Sequence, residues 1–359
     1  MQPPSNEERS VKPEVHQGYE LEGSLFERVR SWTDLFGFLR LARVLRGALS
    51  PPLVLLSAIT LAISTLLAAS FENHAMPIAR WQSGLSQMDV TLGNSLVFLT
   101  RLQILPPGVF RGFAVDRLVL RTLELSLQWI LWTPLLLILF RQGALLSVGR
   151  TMEPIGELIG RTRDRGLAVL AMVGILVGCA GIFLLPCLLS FYVAKFPYLV
   201  TPGTLIGLGF LLPATVLLAG AYVSLPIGVA SLANEEITDP VDSLSRGFEA
   251  VLRRPLTVIG LCLASALLLH IVHCLAAAVS GTAAALVWTL RDHGLASPGS
   301  LAISRIVLAW VPCVIGTNLA GLLIGAMYLL IRQSTNEQQP EDLWVPPPKN
   351  AIPMPVPKA

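Results

Sequence analysis

His270, His273 and Cys274 are the residues of this sequence whose types and spacing come nearest to a metal site. Positions i and i+3 share one helix face, so both imidazoles could reach one ion while the thiol adds a softer ligand. Cys262, about two turns earlier, extends the set, which suits copper, zinc or haem. No carboxylate accompanies these residues to orient an imidazole, and polar side chains in apolar helices commonly serve as interhelical hydrogen-bond partners. The group is therefore read as structural, with no metal and no cofactor expected.

A second constellation, Glu235, Glu236, Asp239 and Asp242, could offer hard oxygen ligands or an acid and base. Its place at the start of a helix explains it more simply, because carboxylates there cap exposed amides and complement the helix dipole. The sequence contains no G-x-x-x-x-G-K-[ST], H-E-x-x-H, G-x-S-x-G or C-x-x-C. No Asp or Glu lies in the interior of any predicted span, which disfavours ion-coupled transport. No catalytic or cofactor-binding residue is assigned, and the chain reads as a non-enzyme.

The elements that must position these residues follow from composition. Of 359 residues, 53% are apolar and 14% charged, and the mean hydropathy is +0.66. Uncharged stretches at 47–71, 125–140, 166–194, 196–234, 255–290 and 306–331 make up close to half the chain. Globular helices show a polar face and buried strands run only about 4 to 8 residues, so a soluble enzyme is excluded. The predicted class is all-α, a polytopic integral membrane bundle with six transmembrane helices and cytoplasmic amphipathic helices.

A net charge of +3 does not suggest nucleic acid. With six spans and the N-terminus inside, the basic residues divide 18 inside to 8 outside, which places both termini in the cytoplasm. All five cysteines fall in predicted spans and are expected to be free thiols. About 50 mostly polar residues precede the first span, so no cleaved signal is expected.

Residues 1–24 read as a disordered cytoplasmic tail, 25–50 as an interfacial amphipathic helix, 51–331 as the membrane domain and 332–359 as a Pro-rich cytoplasmic tail. In the interfacial segment, Trp32, Leu35, Phe36, Leu39 and Leu45 recur at helical spacing. Arg40, Arg43 and Arg46 then set positive charge beside anionic lipid, the alternative being a helix packed on the protein. Span 1 starts at Pro51-Pro52, and an outer loop at 71–115 is broken by Gly84, Gly93 and Pro106-Pro107-Gly108. Span 2 has an uncharged core reaching only about 24 Å, so it borrows upstream turns carrying Arg117, Arg121, Glu124 and Gln128 on one face. Phe191, Tyr192, Phe196 and Tyr198 form an aromatic belt where spans 3 and 4 join. Gly174 with Gly178, Gly203 with Gly207, and Gly321 with Gly325 have the spacing that lets helices approach closely.

Glu153-Pro154-Ile155 with Leu158 recurs 86 residues later as Asp239-Pro240-Val241 with Leu244, suggesting a parallel repeat over about 125–194 and 203–280. In the second copy Asp239 caps, Pro240 opens the helix, and Val241, Leu244, Phe248, Val251 and Leu252 form one apolar stripe. Arg246, Arg253 and Arg254, with Arg40, Arg43 and Arg46, make the predicted lipid or interaction surface.

Trp129 to Arg150 (WILWTPLLLILFRQGALLSVGR), the run DPVDSLSRGF from Asp239, RRPL from Arg253, and Ala326 to Pro348 (AMYLLIRQSTNEQQPEDLWVPPP) resemble uncharacterised six-span proteins of planctomycete-type bacteria, with a likeness reaching most of the chain from Trp32 onward. More distantly, a span followed by a surface helix with Ser-Arg entering the next span is similar to the membrane domain of glycerophosphoryl diester phosphodiesterases. Gly149-Arg150-Thr151 departs from that pattern. The resemblance implies a multi-pass bacterial inner-membrane protein and carries no catalytic residue. The expected role is a structural or interaction component that meets anionic lipid headgroups and membrane or cytoplasmic proteins. The alternatives are a transporter or lipid-handling protein and, third, a membrane enzyme.

Overall fold

The computed structural model describes residues 37–72, 118–236, 239–293, 297–336 and 343. A 3-10 turn, Gly37–Leu39, leads into two one-turn helices, α1 (Arg40–Arg43) and α2 (Leu45–Ala48). Seven longer helices follow: α3 (Pro51–Glu72), α4 (Leu118–Ser147), α5 (Ile155–Val193), α6 (Val200–Asn234), α7 (Pro240–Arg253), α8 (Pro255–Asp292) and α9 (Pro298–Asn336). No strand occurs among the described residues. Five of these helices are long and apolar enough to cross a membrane, and the bent pair Gly37–Ala48 with Pro51–Leu67 makes a sixth if it is one span.

The bend in that pair is 80°. Pro51 disfavours helical backbone at Ser50 and supplies no amide of its own, so one helix cannot run through. In the described part of the segment, Leu41 of α1, Ala48 of α2 and Val44 between them are buried in the protein core. Trp32, Leu35 and Phe36, the start of the predicted amphipathic stripe, lie outside the described residues.

The centre of the bundle is the crossing of α4 with α9. Leu135 to Phe140 of α4 and Leu322 to Ile324 of α9 are all buried, as befits helices surrounded by others. A Cβ on Gly143 would overlap the Leu322 carbonyl, and one on Gly325 the Phe140 carbonyl, so the backbones touch. Of the three glycine pairs, Gly321 with Gly325 makes this contact and Gly203 with Gly207 packs on the turn at Ser190, Phe191 and Ala194. Gly174 with Gly178 has no neighbour within 4 Å, so its spacing carries no packing there.

Helix α5 is 39 residues long, about 58 Å at 1.5 Å per residue, well beyond a hydrocarbon core of about 30 Å. Its charged first turns therefore extend past the apolar zone. Between α5 and α6 the predicted aromatic residues are exposed, with the Lys195 ammonium 4.8 Å from the centre of the Tyr192 ring.

Helix α7 folds back antiparallel on α6: Ser243 meets Gly228, Gly247 meets Ser224, and Phe248 meets Gly220. Asp239 caps it as expected, its Oδ1 accepting from the Val241 amide at 2.9 Å. The buried face, however, is the small-residue row Ser243, Gly247 and Ala250. Leu244, Phe248 and Val251 of the predicted stripe pack half-buried against the core beside it, whereas Val241 and Leu252 are exposed. The two segments of the expected repeat also diverge in outline. α5 runs unbroken from Ile155 into its span, while Pro255 forces a break at Arg254 between α7 and α8.

Candidate functional site at the polar end

The C-termini of α4, α6 and α9 gather at one end of the bundle, together with the first turns of α5 and with α7. Helix α4 stops there in a Schellman arrangement: the Arg150 amide donates to the Leu145 carbonyl and the Gly149 amide to that of Leu146, both at 3.0 Å. Gly149 has φ +80°, a conformation in which a side chain would be strained. This turn delivers Glu153 back onto α4. Its Oε1 accepts from Arg141 Nη2 at 2.7 Å and Nε at 3.2 Å, and its Oε2 accepts from Arg161 Nη1 at 2.7 Å. Gln142 holds the Glu153 backbone in both directions, donating to the carbonyl at 2.6 Å and accepting from the amide at 3.1 Å. The Arg141 side chain is 3% exposed and that of Glu153 16%.

A second carboxylate, Glu235, occupies the equivalent place after α6. It pairs with Arg246 of α7 and accepts from the Tyr328 hydroxyl of α9, joining three helices. Arg246 also pairs with Asp242 at 2.7 Å. Arg165 donates to the carbonyls of Leu232 at 2.5 Å and Glu235 at 2.8 Å, meeting the electronegative end of α6. Across the bundle, Asn318 of α9 is hydrogen-bonded with Ser57 of α3. Gln128 of α4 clasps Ser64 of α3, whose hydroxyl donates to Oε1 at 2.7 Å and whose carbonyl accepts from Nε2 at 3.0 Å.

Two clefts open at this end. One, with room for about one water, is lined by Glu235, Arg246, Glu249, Tyr328, Arg332 and Thr335, with acids and guanidiniums in balance. The other, with room for about one water, presents mainly apolar surface, from residues that include Leu137, Ile138, Leu158, Ala233, Arg141, Arg161 and Arg165.

The expected site residues are distributed otherwise. His270 Nε2 lies 3.7 Å from Cys274 Sγ, and both histidines are half-buried on α8. Among the described residues no three of His, Cys, Asp and Glu come together as a metal site. The cysteines are free, as expected. Of the acidic quartet, Asp239 caps α7, Glu235 and Asp242 hold Arg246, and Glu236 is exposed. Among the arginines assigned to a lipid surface, Arg40 is only 9% exposed, Arg43 is half-buried and Arg46 exposed. Arg246 is engaged in its cluster, Arg253 pairs with Glu249 at 2.9 Å on the surface, and Arg254 is exposed. Glu124, placed by sequence upstream of the span core, is buried inside α4. Leu343 is buried and its carbonyl accepts from Arg150 at 3.4 Å.

Sequence reasoning missed Arg141, Gln142, Glu153, Arg165 and Tyr328 as a set. The available signal was an apolar run ending in Arg-Gln, at Phe140-Arg141-Gln142 and again at Ile331-Arg332-Gln333. The helices and their polar end define a polytopic α-helical membrane protein. No protein-family model, no curated protein and no solved structure matches this chain.

Proposed function

We propose that the protein is a structural or interaction component of the bacterial inner membrane, with both termini in the cytoplasm and no catalytic activity of its own. One observation supports this most: α4 and α9 cross with their glycine backbones in contact, within a core filled by Leu, Ile and Phe side chains. A bundle closed this way cannot rock two halves apart around a central ligand without losing its main packing. The charged residues of the polar end are bound to one another across helices, which fixes a shaped surface for a partner in the cytoplasm. The resemblance to planctomycete-type six-span proteins, and to the phosphodiesterase membrane domain without its hydrolase, agrees with this reading.

The test is reconstitution of the full chain into vesicles holding a self-quenched dye and a fluorescent lipid. The expected result is neither dye release nor accelerated lipid exchange between leaflets, while quantitative cross-linking in cells yields one stoichiometric complex. Protein-dependent flux of either probe would overturn the proposal in favour of transport or lipid handling.

A further inference from the structure

We propose that His270 and Cys274 of α8 form half of a zinc site that a second copy of the chain completes. This goes beyond the scaffold reading and gives these residues a role other than the structural one expected from sequence. Their donor atoms, His270 Nε2 and Cys274 Sγ, lie 3.7 Å apart on adjacent turns. An ion bound at about 2.0 Å to an imidazole and about 2.3 Å to a thiolate, with a tetrahedral angle between them, sets the two donors roughly 3.5 Å apart. The pair thus stands close to the bite of one zinc ion. In a single chain the same contact is a hydrogen bond between thiol and imidazole. Two ligands do not hold a tetrahedral ion, and no third His, Cys, Asp or Glu joins them among the described residues. The site is incomplete without another chain.

The surroundings select a second copy and an uncharged complex. Leu261, Ser265, Leu269, Ala276 and Ser280 make the buried row of α8. Cys274 lies on the other side of the helix with Leu267, Ile271 and Leu275, all exposed. Ala278 and Gly281 on that side are small and exposed, and nothing lies within 4 Å of where a Gly281 side chain would begin, so another helix can come close. Copies inserted in the same orientation meet about a two-fold axis along the membrane normal. Two α8 helices so related run parallel and bring His270 and Cys274 opposite their counterparts at one depth. That depth is about 24 to 30 Å along α8 from Arg254, at the far side of a hydrocarbon core about 30 Å thick, where an ion arrives from water. Each thiol loses its proton to solvent on binding, so two thiolates and two neutral imidazoles around Zn2+ carry no net charge. Copper(I) in the same ligands would keep a negative charge, which lipid disfavours, and calcium or magnesium would require oxygen ligands.

The experiment takes the full chain in mild detergent, stripped with a chelator and then titrated with zinc chloride. Light scattering reads the oligomeric state and elemental analysis the bound zinc. Wild type should pass from monomer to dimer with one zinc for each two chains, and the chelator should reverse both. His270→Ala and Cys274→Ser should each lose the zinc and the dimer while keeping the wild-type thermal midpoint. Cys179→Ser removes another exposed thiol, on a helix that has no histidine, and should keep both. Cobalt(II) in place of zinc should give wild type the sulfur-to-metal charge-transfer band and visible spectrum of a tetrahedral thiolate site; this decides the matter if the variants do not fold. Absence of that spectrum, or of bound zinc, would overturn the proposal. Zinc bound one to each monomer would overturn the shared site. A zinc-dependent dimer that persists in Cys274→Ser would place the metal elsewhere and overturn it too.

Discussion

Gly143 and Gly325 sit where two helix backbones meet, and there a single methyl group is a large change. A Cβ at either position would fall on a carbonyl of the facing helix, which has no rotamer to give. Gly143→Ala or Gly325→Ala should therefore destabilise by about 3 kcal/mol, the upper part of the overpacking range. Gly178→Ala meets nothing and should stay within about 1 kcal/mol of wild type, the scale of helix propensity. Thermal midpoints in detergent compare the three, and equal shifts would refute the backbone crossing. Glu153 supports a parallel contrast. Glu153→Ala takes the carboxylate from a nearly buried Arg141 and should cost roughly 3 kcal/mol, as when one partner of a buried pair is removed. Glu157→Ala touches a long, half-exposed pair and should cost no more than about 0.5 kcal/mol. If chemical denaturation finds the two losses equal, the Glu153 bridge is a surface pair in solution.

At the scale of the element, α7 shows why an amphipathic pattern names only part of a contact face. Its apolar residues were legible at helical spacing, and so was its Asp239-Pro240 start. Which row faces inward was settled by α6, because Gly228 and Ser224 let another backbone come close and thereby select Ser243 and Gly247 opposite them. Large apolar residues then flank the contact. Gly247→Val should pry α7 off α6 and speed trypsin cleavage at Arg253, whereas Leu252→Ser, at a position 76% exposed, should leave the rate unchanged. A Gly247→Val protein as resistant as wild type would show that α7 is held by its flanking Leu and Phe side chains after all.

For the molecule as a whole, the shared end of α4, α6 and α9 sets a topology that labelling can read. The turn at Lys195 to Leu199 lies at the opposite end of α5 from Thr151, some 39 helical residues away. In a cysteine-free background, Tyr198→Cys should react with an impermeant maleimide in intact cells. Thr151→Cys should react only after permeabilisation, given the basic excess on its side. Labelling of Thr151→Cys alone from outside would invert the six-span arrangement, and labelling of both would break it. The same end-to-end order explains the chemistry at the polar end. A chain that crosses lipid repeatedly brings back its few charges at the membrane surface, where residues far apart in sequence become partners.

The sequence by itself determined the all-helical membrane class, the approximate spans, the helix-opening role of Asp239 and Pro240 and the free thiols. Each of these rests on hydropathy, on local backbone chemistry or on which segments lie in lipid, and none needs a neighbouring helix. Only the tertiary structure decided that α1 and α2 pack on the bundle, that Gly321 and Gly325 touch α4 while Gly174 and Gly178 touch nothing, and that Glu153 and Glu235 each bind arginines. Those outcomes depend on helix rotation and pairing. In a chain with 29 glycines, helical spacing offers many possible close contacts. Shape complementarity between whole helix faces selects among them, and no short window of sequence contains both faces.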